Sequence, residues 1–242
     1  NITAITMPGF GTTNRTYNNA VNMIKELGAT FKEISIKDAC LQHFKDIEHD
    51  INIHNVTYEN SQARERTQIL MDYANKIGAL HMGTGDMSEL ALGWATYNGD
   101  HISMYNVNCS IPKTLAKYMV AWVAQNNKGV IRDILMDVVN TPISPELTPA
   151  DENGNIKQKT EDIVGPYELH DFFIYYLLRY NFSVNQIFSL AKTAFEGKYE
   201  NDYIKHWLKI FIRRFFTQQF KRSCLNDGPA VGVISLSPRG GL

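Results

Sequence analysis

Cysteine is scarce in this chain and never paired in sequence. Cys40, Cys109 and Cys224 are odd in number, far apart and in no CxxC, so neither a disulfide framework nor a zinc site follows from them, and a reducing, cytoplasmic setting is the expectation. Long apolar runs are missing too: none reaches the length of a bilayer span, and the amino end NITAITMPGF lacks a basic stretch followed by a signal core, so no membrane partner is expected. Charge of one sign is absent as well. With 24 basic and 25 acidic residues the net charge is −1, which gives no global field to recruit nucleic acid, and any anion site has to be local. There is no GxSxG elbow, Walker loop, GxGxxG fingerprint or HExxH pair, so the usual markers of nucleophilic hydrolysis, dinucleotide binding and zinc proteolysis are gone. Of the seven histidines, His43, His49 and His54 share no ligand spacing, and most read as structural or solvated.

What is present is ordinary globular material, 242 residues with 44% hydrophobic and 20% charged, enough for one α/β domain with a sizeable core. ITAITMP reads as a buried strand. The turn PGFGTTNR leads into a helix over roughly Thr16 to Leu27 with Ala20, Ile24 and Leu27 on one face, and GATFKEISI supplies a second strand. A loop rich in His, Asp and Asn covers Gln42 to Tyr58. NSQARERTQILMDYANKIG is an amphipathic helix closed by Gly78, then ALHMGT is a strand and Asp86 to Tyr97 a helix. Strands alternating with helices predict a mostly parallel sheet covered on both faces, with ligands at the carboxyl ends of the strands.

SIPKTLAKYMVAWVAQN is a further helix with Pro112 at a tolerated early position. From Thr141 to Gly165 three prolines and a polar run without period predict a flexible lid or a plain connector. The sequence thus divides into an α/β core over 1–140, a lid loop over 141–165 and a helical region over 166–242, all within a single domain. In the last region Tyr203, Trp207, Phe211 and Phe215 recur every four residues. Such a stripe is core or subunit interface far more often than a membrane-surface or partner-groove helix.

The stretch HMGTGDMSELALGWATYNGDH carries the sharpest local signal. Asp86 and Glu89 have the spacing of a capping box, which is the structural reading of that acid. Yet Thr84 and Glu89 lie just past a strand, Asn60, Arg64 and Arg66 open or line the preceding helix, Asp100 follows in YNGD, and Lys113 starts another helix. Free helix amides, a hydroxyl, basic side chains and a carboxylate make a reasonable site for phosphates with Mg²⁺.

TYENSQARERTQILMDYAN, GTGDMSELALGWATYNGDHISMYNVN, IPKTLAKY, KTEDIVGPYELHDFF and QQFKRSCLNDGP with SLSPRG closely resemble the synthetase domain of glutamine-dependent NAD⁺ synthetases, in the PP-loop ATP pyrophosphatase group. The resemblance runs through essentially the whole chain. It implies a three-layer α/β sandwich of the adenine nucleotide alpha hydrolase-like type, with a mostly parallel sheet and a helical carboxy-terminal extension. It also implies adenylation of the nicotinate carboxylate of deamido-NAD⁺ by ATP, release of pyrophosphate, and displacement of AMP by ammonia to give NAD⁺.

Carried over position by position, the resemblance assigns Asn60, Arg64, Glu89, Trp94, Tyr97, Asp100 and Lys221 to deamido-NAD⁺, and Thr84, Lys113 and Ser144 to ATP. Glu89 is the Mg²⁺ ligand, and Lys113 and Lys221 are the catalytic pair. Two family features are absent from these residues: the SGGxDS pyrophosphate loop with its aspartate, and the nitrilase-like glutaminase domain. The expectation is an amino-terminally truncated synthetase domain, without the family's first strand and helix and inactive alone, with a glutaminase domain in the full-length chain and self-association into a homo-oligomer. The competing reading is a non-catalytic dinucleotide-binding or oligomerisation module. A GMP synthetase fits TYENSQARERT and GWATYNGDH poorly.

Overall fold

The computed structural model describes residues 1–149 and 160–237. In chain order the elements are β1 (Thr3–Thr6), α1 (Asn14–Glu26), β2 (Thr30–Glu33), α2 (Lys37–Asp46), α3 (Val56–Ile77), β3 (Met82–Gly83), α4 (Met87–Leu92), β4 (Tyr105–Asn106), α5 (Lys113–Gln125), α6 (Val130–Asn140), α7 (Thr160–Val164), α8 (Tyr167–Tyr180), α9 (Val184–Ala194) and α10 (Asn201–Thr217). A 3₁₀ helix, Gln219–Cys224, follows. The chain divides into two compact units, Asn1–Gly78 with Lys117–Thr160 and Ala79–Ala116 with Glu161–Leu242. This division cuts across the segments 1–140, 141–165 and 166–242 read from the sequence.

In the first unit β1 pairs parallel with β2, Thr3 opposite Thr30 and Thr6 opposite Glu33, with α1 as the crossover. Thr13 caps α1 by accepting from the Thr16 amide. The loop expected from Gln42 to Tyr58 is shorter than predicted, because Lys37–Asp46 is helical. Its apolar positions explain this: Cys40 and Phe44 pack with Ile36 and Tyr58 in one buried cluster, with Met7, Phe10 and Ile69 against it. Asn55 then caps α3, and Gly78 ends it in the left-handed conformation, φ 63°, as the sequence predicted.

Residues 141–146 line a cavity of about 470 Å³ in this unit, together with Thr16, Asn19, Met23 and Arg66. Glu146 is fixed there by a hydrogen bond from Thr16, and Thr160 donates its amide to Ile143 O at 2.9 Å. The centre of the expected lid, 150–159, lies outside the described residues.

In the second unit β3 and β4 form another parallel pair. Both strand pairs are two-stranded among the described residues, so each strand keeps one unpaired edge. The helix expected from Asp86 to Tyr97 stops at Leu92, because Gly93 turns left-handed at φ 59° and residues 94–97 leave the helix. The aromatic stripe of α10 is core for the most part: Trp207, Phe211 and Phe215 are buried with Ile204 and Leu208, while Tyr203 is exposed. Phe211 and Trp207 pack on His170 of α8, whose Nε2 bonds Val164 O at 2.7 Å and whose pKa burial holds down at about 4. This histidine is structural, and among the described residues no three His, Cys, Asp or Glu gather as a metal cluster. No described helix is long and apolar enough to cross a membrane.

Candidate functional site

Short α4 is where the second unit gathers charge. Its capping box is complete: the Asp86 side chain accepts from the Glu89 amide at 3.0 Å, and Glu89 Oε2 accepts from the Asp86 amide at 3.2 Å. The structural reading of that sequence motif is therefore correct as far as it goes. The remaining oxygens do something else. Glu89 Oε1 and Asp86 Oδ2 both meet Lys113 Nζ, at 2.7 and 2.5 Å, and the ammonium lies 5.5 Å from the centre of the Tyr167 ring.

The electrostatics follow from two acids sharing one base in a partly dry place. Desolvation, then the neighbouring Asp86 charge, pushes the Glu89 carboxyl well above its ordinary range, and Lys113 only partly offsets this. Burial pulls Lys113 down, but the two carboxylates outweigh it and leave the ammonium held above its usual value. The ammonium is therefore firmly charged, and burial makes Glu89 easier to protonate than an ordinary glutamate.

Lys113 stands where it does because of a carboxylate 58 positions further along the chain. Asp171 of α8 accepts from the Ser88 hydroxyl, from the Thr114 amide at 2.9 Å and from the Thr114 hydroxyl at 2.6 Å, and Ser88 Oγ in turn accepts the Lys113 amide at 2.8 Å. Asp171 thus serves as a remote N-cap for α5 and ties it to α4. Its own pKa is raised, chiefly by desolvation. Replacing Asp171 with Asn puts an NH₂ group into a position that must accept hydrogen bonds, so Asp171→Asn should cost about 1–3 kcal/mol in chemical denaturation. An unchanged denaturation midpoint would show that the cap is dispensable.

At the other end of α4, Lys221 Nζ donates to Gly93 O at 2.9 Å and Ala95 O at 2.6 Å. Tyr97 is exposed and packs 5.4 Å from Phe220, and Asp100 Oδ1 accepts the Thr96 amide at 2.7 Å. Trp94 lies under the Arg214 guanidinium at 5.4 Å. Thr84 is exposed just past β3, with its carbonyl 3.4 Å from Asn108 Nδ2.

The second unit therefore brings Glu89 and Lys113 into contact, and joins Lys221 to the backbone beside Trp94. Asn60, Arg64 and Ser144 belong to the first unit. Asn60 and Arg64 sit one turn apart on α3, and Ser144 accepts the Glu146 amide at 3.1 Å and lines the cavity with Arg66. Asp171, Ser88, Tyr167 and Arg214 escaped the sequence reading. Their partners lie 25 to 122 positions away, beyond any local spacing signal.

Parallel strand pairs followed by helices, with charged side chains collected at both ends of α4, define an α/β protein. A family model described as NAD synthase matches residues 1–193, and the chain belongs to that family. It is 40% identical to the glutamine-dependent NAD(+) synthetase of Mycobacterium leprae over 99% of this chain, but spans only 39% of that protein's length. A glutamine-dependent NAD(+) synthetase from Cytophaga hutchinsonii has the same fold, with a TM-score of 0.76 at 23% identity, over 99% of this chain and 38% of that one. An NMN synthetase from Francisella tularensis shares it at a TM-score of 0.64 and 18% identity, over 89% of this chain and 75% of that one.

Proposed function

We propose that this chain is the synthetase part of an enzyme that joins ammonia to deamido-NAD⁺ at the expense of ATP. The 40% identity to glutamine-dependent NAD(+) synthetases over nearly the whole chain carries the reading. The charged triad supports it. Adenylation of a carboxylate and release of pyrophosphate need cationic groups that neutralise developing phosphate charge, and no covalent protein nucleophile. Lys113 is such a group, with Thr84 and Ser144 assigned beside it to ATP. Asn60, Arg64, Trp94, Tyr97, Asp100 and Lys221 are assigned to deamido-NAD⁺, with Lys221 joining Lys113 as the catalytic pair.

Asp86 Oδ2 and Glu89 Oε1 already converge on one cation head, which is the hard-oxygen donor set that Mg²⁺ takes, with substrate phosphates and water completing its shell. Glu89 would hold that ion, which when bound supplies positive charge to the phosphates. Lys113 then has to leave the two carboxylates and move its ammonium to a phosphate oxygen. The longer protein is expected to add a glutaminase domain as ammonia source and to work in the cytoplasm. Self-association fits α5, where Leu115, Tyr118, Met119 and Trp122 form an exposed apolar stripe at helical spacing.

The test is ammonia-driven NAD⁺ formation, with calorimetric titration of deamido-NAD⁺. A protein that joins these residues to an SGGxDS-bearing segment should turn over. The 242 residues alone should bind deamido-NAD⁺ weakly and form no NAD⁺, since they contain no such loop of phosphate-binding amides. Steady turnover by the 242 residues would show the loop to be dispensable. Failure of the joined protein to make NAD⁺ would overturn the reading.

A further inference from the structure

The carboxyl end of α4 faces three cations, and among the described residues no carboxylate is within ion-pair distance of any of them. Arg214 Nε donates to Leu92 O at 2.9 Å, Lys221 Nζ bonds the Gly93 and Ala95 carbonyls, and Arg222 donates to Ala91 O at 3.3 Å and Phe215 O at 2.7 Å. Helix-end carbonyls attract cations, but their partial charges amount to about half an elementary charge and cannot balance three. Burial lowers the pKa of all three, and the Arg214 charge lowers Lys221 further while Asp100 works against this. Among the described residues none of the three is ion-paired with a carboxylate.

The three differ in what they have left to offer. Arg222 is 3% exposed, and both its terminal nitrogens are occupied by carbonyls. Arg214 is only half-buried, its guanidinium lies over Trp94 at 5.4 Å from the ring centre, and its two terminal nitrogens have no hydrogen-bond partner among the described residues. Phe220, next to Lys221, and Tyr97, three residues after Trp94, expose their rings close by in sequence and 5.4 Å from each other. A fork of donors over the Trp94 indole matches a planar ring that carries an anionic group.

We propose that Arg214 is a substrate-binding residue whose free edge takes an anionic group, diphosphate or carboxylate, of the dinucleotide assigned to Trp94, Tyr97, Asp100 and Lys221. The proposal rests on that assignment. It adds the residue that completes the charge balance there. The bond to Leu92 O and the cation–π contact with Trp94 hold the guanidinium in place before ligand arrives, so little side-chain freedom is lost on binding.

Calorimetry on the 242-residue chain tests it, with deamido-NAD⁺, NAD⁺ and inorganic pyrophosphate as probes, for wild type, Arg214→Gln, Arg214→Lys and the exposed control Lys209→Gln. Thermal melts show which variants are folded. Arg214→Gln should weaken deamido-NAD⁺ about 10- to 100-fold, as expected for loss of charge-assisted hydrogen bonds. Arg214→Lys, which keeps the charge without the fork, should recover part of this, and Lys209→Gln should change nothing. Loss for deamido-NAD⁺ alone assigns Arg214 to the carboxylate; equal loss for NAD⁺ assigns it to the diphosphate. Unchanged affinities in both folded Arg214 variants overturn the proposal. If wild type binds pyrophosphate through Arg214 but neither dinucleotide, the assignment of the dinucleotide fails while the anion site stands. If wild type binds none of the three probes, both fail.

Discussion

Lys113→Met should be among the most damaging single changes in this protein. It removes the cation that, among the described residues, alone meets Asp86 and Glu89 at 2.5 and 2.7 Å, and leaves both carboxylates beside an apolar side chain. Breaking a buried pair from one side costs about 3–5 kcal/mol, and the 21% exposure of Lys113 places the expected loss toward the lower figure. The deficit should depend on pH in a defined sense. Glu89 has a folded-state pKa above its ordinary 4.5, so folding takes up a proton, and stability falls as pH rises from that value through the raised one. Without Lys113 the raised value climbs further. The variant should therefore lie nearer wild type at pH 5, where Glu89 can be protonated, than at pH 8. Urea titrations at the two pH values measure this, and a deficit that is equal or larger at pH 5 would contradict it. In the joined synthetase the same change should abolish NAD⁺ formation even where the protein remains folded.

Gly165→Ala should be comparably harmful for a steric reason. Gly165 has φ +96°, and a Cβ there would lie 2.4 Å from two carbons of the Trp207 indole. Backbone strain of about 1–3 kcal/mol adds to overpacking of about 1–3 kcal/mol. Trp207 cannot move aside cheaply, since it stacks edge-on against His170 and Tyr203. A melting temperature lowered by roughly 5–15 °C is expected, with a changed near-ultraviolet dichroism from the displaced indole. A melting curve that matches wild type would mean that the main chain at Gly165 adjusts without strain.

The sequence shows most of the elements and few of the reasons they stop. Strand and helix periods locate β1, α1, α3, α5, α8 and α10, and in α1 and α3 a capping side chain or a terminal glycine adds a boundary signal. It overran α4 because residues 94–97 continue the apolar pattern while Gly93 already turns left-handed. It missed α2 because Cys40 and Phe44 pack against residues distant in the chain, Tyr58 across a polar loop and Met7, Phe10 and Ile69 beyond, as well as the adjoining Ile36.

The candidate site divides the same way. Asp86, Glu89 and Lys113 stand out through capping spacing and family motifs, and the structure brings them into contact. Asp171 and Arg214 do not stand out, because each acts across tens of residues on a backbone group, and a backbone group leaves no mark in the sequence.

Helix α4 has only six residues, fewer than the roughly 12–15 an isolated helix needs to persist in water. What holds it is borrowed at both ends: Lys113 and the Asp171–Ser88 link at the start, Arg214, Lys221 and Arg222 at the finish. The order of events during folding follows from this. The carboxyl end of α4 cannot be held on a nascent chain until late, because Arg214, Lys221 and Arg222 lie more than a hundred positions further on and have yet to be made.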